Sequence, residues 1–315
     1  MRNFTFKGLF LAVVFIVLGS LSIQAADGLI TKQITIKLEK AGTLPDKIGS
    51  TKKYQITNLK ILGEINGTDL MFIRNMAGGI DYYDETGEGK LSVLDLSQAR
   101  IVVGGGPYFY YFKGYPTDGY SRELYVDEND VLGDYMFCGC SALTSLTLPS
   151  SVTKIGNYAF ENCSGLTSMK NPFSVTSIGG SAFNGCSGLT SLVIPSGVTK
   201  IGYYAFENCS GLTSIYVYAE QIYTIGLVAF KGCDKNNCKV YVPKGTYDYY
   251  IKYSDFRYFK NIEEFDATGI NNVITPFHAK EVSRYSINGQ RLSAPTKGLN
   301  IVKYSDGSVK TVAIQ

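Results

Sequence analysis

Apolar and polar positions along residues 134–226 recur with a 23-residue period, four times over. The copies run 134–156, 157–179, 180–202 and 203–226, the last with one extra residue. Phe137, Phe160, Phe183, Phe206 and Phe230 hold one phase, and Cys140, Cys163, Cys186, Cys209 and Cys233 another. Leu143, Leu166, Leu189 and Leu212 follow, and Ile155, Ile178, Ile201 and Ile225 close the units. A fixed period around a Leu-x-x-Leu-x-Leu core predicts a repeat solenoid of stacked coils with a parallel β ladder. In the third copy, alternation sends Leu192 and Ile194 inward and Ser191 and Val193 outward. Pro195 ends that strand because it has no N–H for a ladder, and Ser196-Gly197 turns the chain. Residues 198–201 make a second extended run. Residues 203–208 are expected as one helical or 3-10 turn that drops Phe206 into the core. A single coil cannot bury its own apolar face, so each needs a neighbour and the two ends need caps.

The flanks supply those caps. Residues 54–65 and 91–97 read as strands of longer, degenerate coils. Between them, 68–77 reads as a helix led by Thr68 as capping residue and by Asp69. Residues 32–38 alternate like an edge strand. Downstream, 239–243 is a last strand, followed by a tyrosine-rich helix over 245–256 and a short run at 262–265. Beyond a linker, 282–293 and 299–314 alternate strongly, with Asn288-Gly289 and Asp306-Gly307 as hairpin turns. The expected organisation is a leader over 1–25, an N-terminal cap with degenerate repeats over 26–133, and regular repeats over 134–238. A C-terminal cap over 239–265, a linker over 266–281 and a small β tail over 282–315 complete it.

Composition narrows the function. Arg2 and Lys7, the apolar run 9–21 and Ser22-Ile23-Gln24-Ala25 have the form of a secretory signal cleaved after Ala25. That run of 13 residues is too short for a bilayer of ~30 Å, and no transmembrane segment is expected after cleavage. Loss of the leader removes Arg2 and Lys7 and no acid, so the formal charge falls from +3 to +1. Near-neutrality with dispersed basic residues offers no field for nucleic acid or an anionic surface. The expected location is therefore secreted or at the cell surface. Five of the seven cysteines recur once per coil, which predicts an inward column of buried free thiols. Cys233 and Cys238, at the end of the stack, are the better disulfide candidates.

Few groups suit catalysis. His278, the only histidine, has no cysteine, acid or serine spaced to assist it. Cys138-Gly139-Cys140 lacks the further ligands of a zinc site. Gly104-Gly105-Gly106 lacks the lysine and serine of a phosphate loop and reads as a turn. Asp81, Asp84, Glu85 and Glu88 break the spacing of a calcium loop. No enzyme activity, cofactor or metal is expected.

Binding is better served, since outward strand positions align across coils. One column is Ser145, Ser168, Ser191 and Ser214; the other is Thr147, Lys170, Val193 and Tyr216, with Tyr218 beside its end. A second candidate is the insertion 107–125, where Tyr108, Tyr110 and Tyr111 offer large contact area with few rotamers to freeze. Its rings either meet a ligand or fold back over a degenerate coil.

The phrase GDYMFCGCSALTSLTLPSSVTKIG and the later copies of AFENCSGLTS resemble the BspA-like leucine-rich repeat family over residues 134–242. ITNLKILGEINGTDLMFIRNMAG and KLSVLDLSQARIV resemble its degenerate N-terminal repeats. The ending YSINGQRLSAPTKGLNIVKYSDGSVKTVAI is similar to C-terminal sorting tails, although it closes on Ala313-Ile314-Gln315 where such tails are often basic. The resemblance implies an exported or surface-exposed solenoid, with adhesion or host-protein binding in some members. It carries over no catalytic residue. A protein ligand is the expected partner, a host extracellular protein among the candidates. The alternative is a surface carbohydrate bound through exposed tyrosines.

Overall fold

The computed structural model describes residues 28–79, 87–112, 121–170, 172–267, 281–286, 290–294, 296–304 and 309–314. The leader, the acidic positions 81, 84 and 85, His278, and the turn pairs Asn288-Gly289 and Asp306-Gly307 lie outside these residues.

The chain winds into coils, each giving a longer strand and, among the described residues, five of them a shorter one as well. The longer strands form a parallel ladder in the order Ile34–Leu38, Asn58–Ile65, Val93–Ile101, Ser145–Thr147, Ser168–Lys170. It resumes as Ser191–Ile194, Ser214–Val217, Lys239–Pro243, Asn261–Phe265. The break coincides with copy two, whose sequence has Asn171 where copy three has Ile194. The shorter strands Val131–Leu132, Lys154–Ile155, Ser177–Ile178, Lys200–Ile201 and Thr224–Ile225 form a second parallel ladder. Threonine hydroxyls add to the stack: Thr167 and Thr213 donate to the Thr144 and Thr190 carbonyls at 2.9 and 3.0 Å.

The Ala-Phe segment differs from the helical or 3-10 turn that its sequence suggests. It is a series of turns with two left-handed residues per coil. One set is Tyr135, Tyr158, Ser181, Tyr204 and Val228, with φ between 52° and 60°; the other is Gly139, Asn162, Gly185, Asn208 and Gly232. This winding points the Phe N–H of each coil at the Ala carbonyl of the next. Phe137, Phe160 and Phe183 each donate at 2.7 Å to Ala159, Ala182 and Ala205. A helix would have consumed those N–H groups internally; here they build a third side of the solenoid. The phenylalanine rings stack in register, with centroids 5.0–5.5 Å apart from Phe137 to Phe230.

Backbones of adjacent coils approach closely at the glycine closing each copy. A Cβ on Gly179 would lie 2.5 Å from the Gly156 carbonyl carbon. The glycine of the SGLTS phrase obeys the same constraint: a Cβ on Gly165 would lie 2.2 Å from the Ser141 carbonyl oxygen. Copy one carries Ala142 there, because its predecessor is a degenerate coil met through Ala142 N–H to the Ala77 carbonyl at 3.2 Å.

The cysteine column is buried, and all seven cysteines are free thiols. They do more than fill space. Cys163, Cys186 and Cys209 donate to the carbonyls of Phe137, Phe160 and Phe183 at 3.0, 3.1 and 3.1 Å. Cys233 repeats the bond to Phe206 at 3.3 Å, while Cys238 approaches the Lys239 carbonyl at 3.8 Å. These two are thus separate thiols rather than the disulfide they might have formed. Burial pushes the Cys140 and Cys233 thiols up to about 11 and Cys186 to about 12.

Both ends are closed by irregular structure. The helix Gly67–Met76 is capped by Asn66, not Thr68: the Asn66 side chain accepts from Thr68 N–H, and Asp69 accepts from Asn66 N–H. At the other end the tyrosine-rich segment divides at Ser254 into the helix Tyr247–Tyr253 and the 3-10 turn Asp255–Tyr258. There Phe256 and Phe259 cover Phe230, at centroid distances of 4.9 and 5.5 Å. Asp255 takes the Ala229 N–H at 3.0 Å, which ties this cap to the last coil. The C-terminal residues form a separate antiparallel sheet in the order Arg291–Leu292, Glu281–Ser286, Gly298–Tyr304, Val309–Ile314.

Two outcomes follow from this packing. Gly179→Ala forces neighbouring backbones apart and is expected to lower stability by about 2–3 kcal/mol, read by chemical denaturation. The thiols bear on alkaline stability. Their folded pKa lies above the ordinary 9.0, so the folded state holds its protons longer. That contribution is complete below pH 9 and is lost as pH rises towards 12, so the Tm of reduced protein should fall progressively over that window.

Candidate binding face

Ladder register carries the outward columns beyond the four regular copies. One column runs Thr35, Lys60, Asp95, Thr147, Lys170 and, past the break, Val193, Tyr216, Tyr241, Glu263. Its first half is polar, with Lys60 and Asp95 paired at 2.9 Å. Thr147 and Val193 are half-buried. Lys170 sits in register with Thr147, its side chain outside the described residues.

The second half is aromatic. Tyr216 stacks on Tyr241 with centroids 4.6 Å apart and planes 8° from parallel, and Phe265 meets Tyr216 edge-on at 6.4 Å. Tyr218 stands at the position Pro195 holds one coil earlier. It meets Phe265 edge-on at 5.1 Å and Phe173 at 6.1 Å. Five rings thus form one platform on the outer strand face. Its centre is closed: Tyr216 is only 7% exposed, so the accessible rings are Tyr218, Tyr241, Phe173 and Phe265, all half-buried. This corrects the reading of Tyr216 as a free contact. Burial raises the hydroxyl pKa of both Tyr216 and Tyr218, so both stay neutral donors in neutral solution. Tyr241 and Phe265 were missing from the sequence-derived site, because the coils between Tyr216, Tyr241 and Glu263 are irregular in length. Extending the column past Tyr216 finds Tyr241 directly.

The insertion is a hairpin, not a loop. Phe109–Phe112 pairs antiparallel with Ser121–Leu124. Tyr108, a candidate contact, is 2% exposed, and its hydroxyl donates to the Asp134 carbonyl at 2.9 Å. The reason is the third ladder. In later coils the equivalent carbonyls, Asn157 and Ala159, accept N–H groups from the coil before, Tyr135 and Phe137. Copy one has no such predecessor. Tyr108 answers Asp134, and Arg74 Nη1 answers Met136 at 3.1 Å. The Arg74 guanidinium also lies 4.6 Å from the Phe109 ring centroid, and Phe109 stacks on Tyr135 at 5.3 Å. Tyr108 is therefore an end cap and cannot meet a ligand. Tyr110 is half-buried, and the Tyr111 side chain lies outside the described residues.

The other candidates have structural duties. The Gly104 carbonyl accepts the Gly67 N–H at 3.0 Å and Gly106 N–H donates to Thr68 Oγ1 at 2.9 Å, bracing the start of the helix. A cleft of about 500 Å³ is lined by Gly245, Tyr247, Asp248 and Glu264. Glu264 is already engaged there, accepting from Gly245 and Tyr247 N–H at 2.8 and 3.0 Å. Among the described residues, no three His, Cys, Asp or Glu side chains converge as metal ligands would, and no helix is long and apolar enough to cross a membrane.

The family model of the BspA type leucine rich repeat region matches residues 130–263 in six copies. These extend the four near-verbatim ones into the terminal strands. No curated protein matches the chain. Among solved structures, a leucine rich repeat protein of T. pallidum is 24% identical, covering 47% of this chain and 66% of that one, with a TM-score of 0.35. The pneumococcal vaccine antigen PcpA is 15% identical over 67% of this chain and 57% of its own, TM-score 0.34. A leucine rich cell surface protein from Faecalibacterium prausnitzii is 18% identical over 64% and 51%, TM-score 0.23. The match thus spans less than two thirds of each neighbour's length.

Tyr108→Phe leaves the Asp134 carbonyl buried without a donor. It should cost about 1–3 kcal/mol in denaturation and leave ligand binding by the folded fraction unchanged.

Proposed function

We propose that the chain, whose residues 130–263 match the BspA type leucine rich repeat region, is an exported surface protein that binds another protein through its outer strand face. The observation that carries this reading is the five-ring platform continuing a polar column on one regular surface. Aromatic rings held rigid by one another offer contact area without freezing many rotamers, the property of interface anchors. The polar column beside them, from Lys60 to Lys170, suits the rim of such an interface. Export rests on the leader-like pattern of Arg2, Lys7 and residues 9–21, and adhesion to a host extracellular protein is the form of binding that reading favours. Tyr108 as an end cap removes one of the rings on which a carbohydrate-binding reading relied.

The test is capture of extracellular-matrix proteins by the purified chain, with Tyr216 left intact because it holds the platform together. The triple variant Lys170→Glu, Tyr218→Ala, Tyr241→Ala should bind at least tenfold more weakly, about 1.4 kcal/mol, while keeping its circular dichroism spectrum. Undiminished capture by that variant, or binding confined to polysaccharides, would sink the proposal.

A further inference from the structure

A second surface lies on the turn side of the solenoid, away from the strand face, and it stands whether or not the strand-face reading holds. The first left-handed position of each coil carries an outward ring in three coils: Tyr135, Tyr158 and Tyr204. The column begins with Phe109 stacked on Tyr135 at 5.3 Å, and Tyr135 on Tyr158 at 4.6 Å with planes 9° apart. It then misses one ring, because copy three has Ser181. Ser181 shares the backbone winding of its neighbours, φ 52° against 56° at Tyr158 and 58° at Tyr204. A tyrosine there would continue the stack, so the coil lacks the ring and nothing else.

The missing ring leaves a slot two coil spacings wide, ~10 Å between the planes of Tyr158 and Tyr204. Tyr135 covers one face of Tyr158, which leaves the other towards the slot. Lys231, from the following coil, lies 5.8 Å from the Tyr204 ring centroid, so Tyr204 too has its remaining face on the slot side. Gly180 and Ser181 make the floor; Ser181 is 7% exposed. The rim is mixed: Asn157, whose Oδ1 accepts the Gly180 N–H at 2.8 Å, stands in the Tyr158 coil, and Tyr203, 60% exposed, in the Tyr204 coil. Large apolar side chains left this open mark contact surfaces.

We propose that this slot receives the aromatic side chain of a protein partner, sandwiched between Tyr158 and Tyr204 with Tyr203 and Asn157 at its rim. The argument for an aromatic occupant is metric. Rings in this column stack every 4.6–5.3 Å, so a space one coil deep has the depth of one further ring in the same geometry. Offset stacking on both faces gives such an anchor its hold.

The tyrosine side-chain analogue p-cresol is the probe, followed by amide NMR of the full chain. Saturable shifts are expected at Tyr158, Gly180, Ser181 and Tyr204. Ser181→Gly, compatible with the positive φ, should keep them. Ser181→Tyr fills the slot, so it should weaken p-cresol binding at least tenfold while raising Tm by about 2–4 °C, a gain that separates occlusion from unfolding. Absence of saturable shifts in the unaltered chain would overturn the proposal, as would equal shifts in Ser181→Tyr or a fall in its Tm. Shifts produced by methyl β-D-glucopyranoside but not by p-cresol would overturn the aromatic assignment and make the slot a sugar site.

Discussion

Every coil depends on hydrogen bonds that only another coil can complete. The left-handed residues at Tyr135, Tyr158, Ser181 and Tyr204 turn alternate N–H groups out of their own segment and onto the carbonyls of the next. A buried amide without a partner is costly, so the segment has no stable form outside the stack. The phenylalanine rings, the thiols and the closing glycines all serve this arrangement. Rings and sulfurs fill what the backbone leaves, and the glycines permit the approach that keeps the bonds short. The price of non-glycine residues in left-handed geometry, about 1–2 kcal/mol each, is met because three ladders fix the same conformation.

From that constraint comes the character of both ends. A stack must stop somewhere, and where it stops it exposes carbonyls on one side and N–H groups on the other. Tyr108 and Arg74 answer the first set; at the other end Phe256 and Phe259 cover the last phenylalanine, and Asp255 pins that cap through the Ala229 N–H. The irregular segments are thus shaped by the regular ones. The outer strand face, by contrast, has no bonds to complete, since its side chains point away from the spine. Residues there can vary from copy to copy at little structural cost, which is why Thr147, Val193 and Tyr216 share one register.

The repeat, its inward columns and its ladders were legible because each position returns every 23 residues and meets its own kind. The Ala-Phe turn was misread because tyrosine, serine and valine hide a winding that glycine or asparagine would have advertised. Asn66 as helix cap was two residues from view: a threonine close to an acid imitates the same signal. That Tyr108 folds back was one of the two readings of the insertion, but the carbonyl it answers could not be read. Its role is defined by a coil that is absent, and no local pattern encodes an absence. Tyr216 was read as exposed because Tyr241 and Phe265, which close over it, come from coils of unequal length. The candidate face could therefore be placed on the correct side of the solenoid, but not its closed centre.

The sulfur column has one more implication. Secreted domains that carry many cysteines usually mature through oxidative pairing and the reshuffling of wrong partners. Here the S–H groups are themselves donors to the phenylalanine carbonyls, so the wound coils use these thiols unpaired, whatever compartment the proposed export would take them to. The hazard shifts to the interval before winding, when neighbouring thiols along an extended chain lie open to premature cross-linking. Speed of coiling, more than redox chemistry, would then govern the yield of native protein in an oxidising compartment.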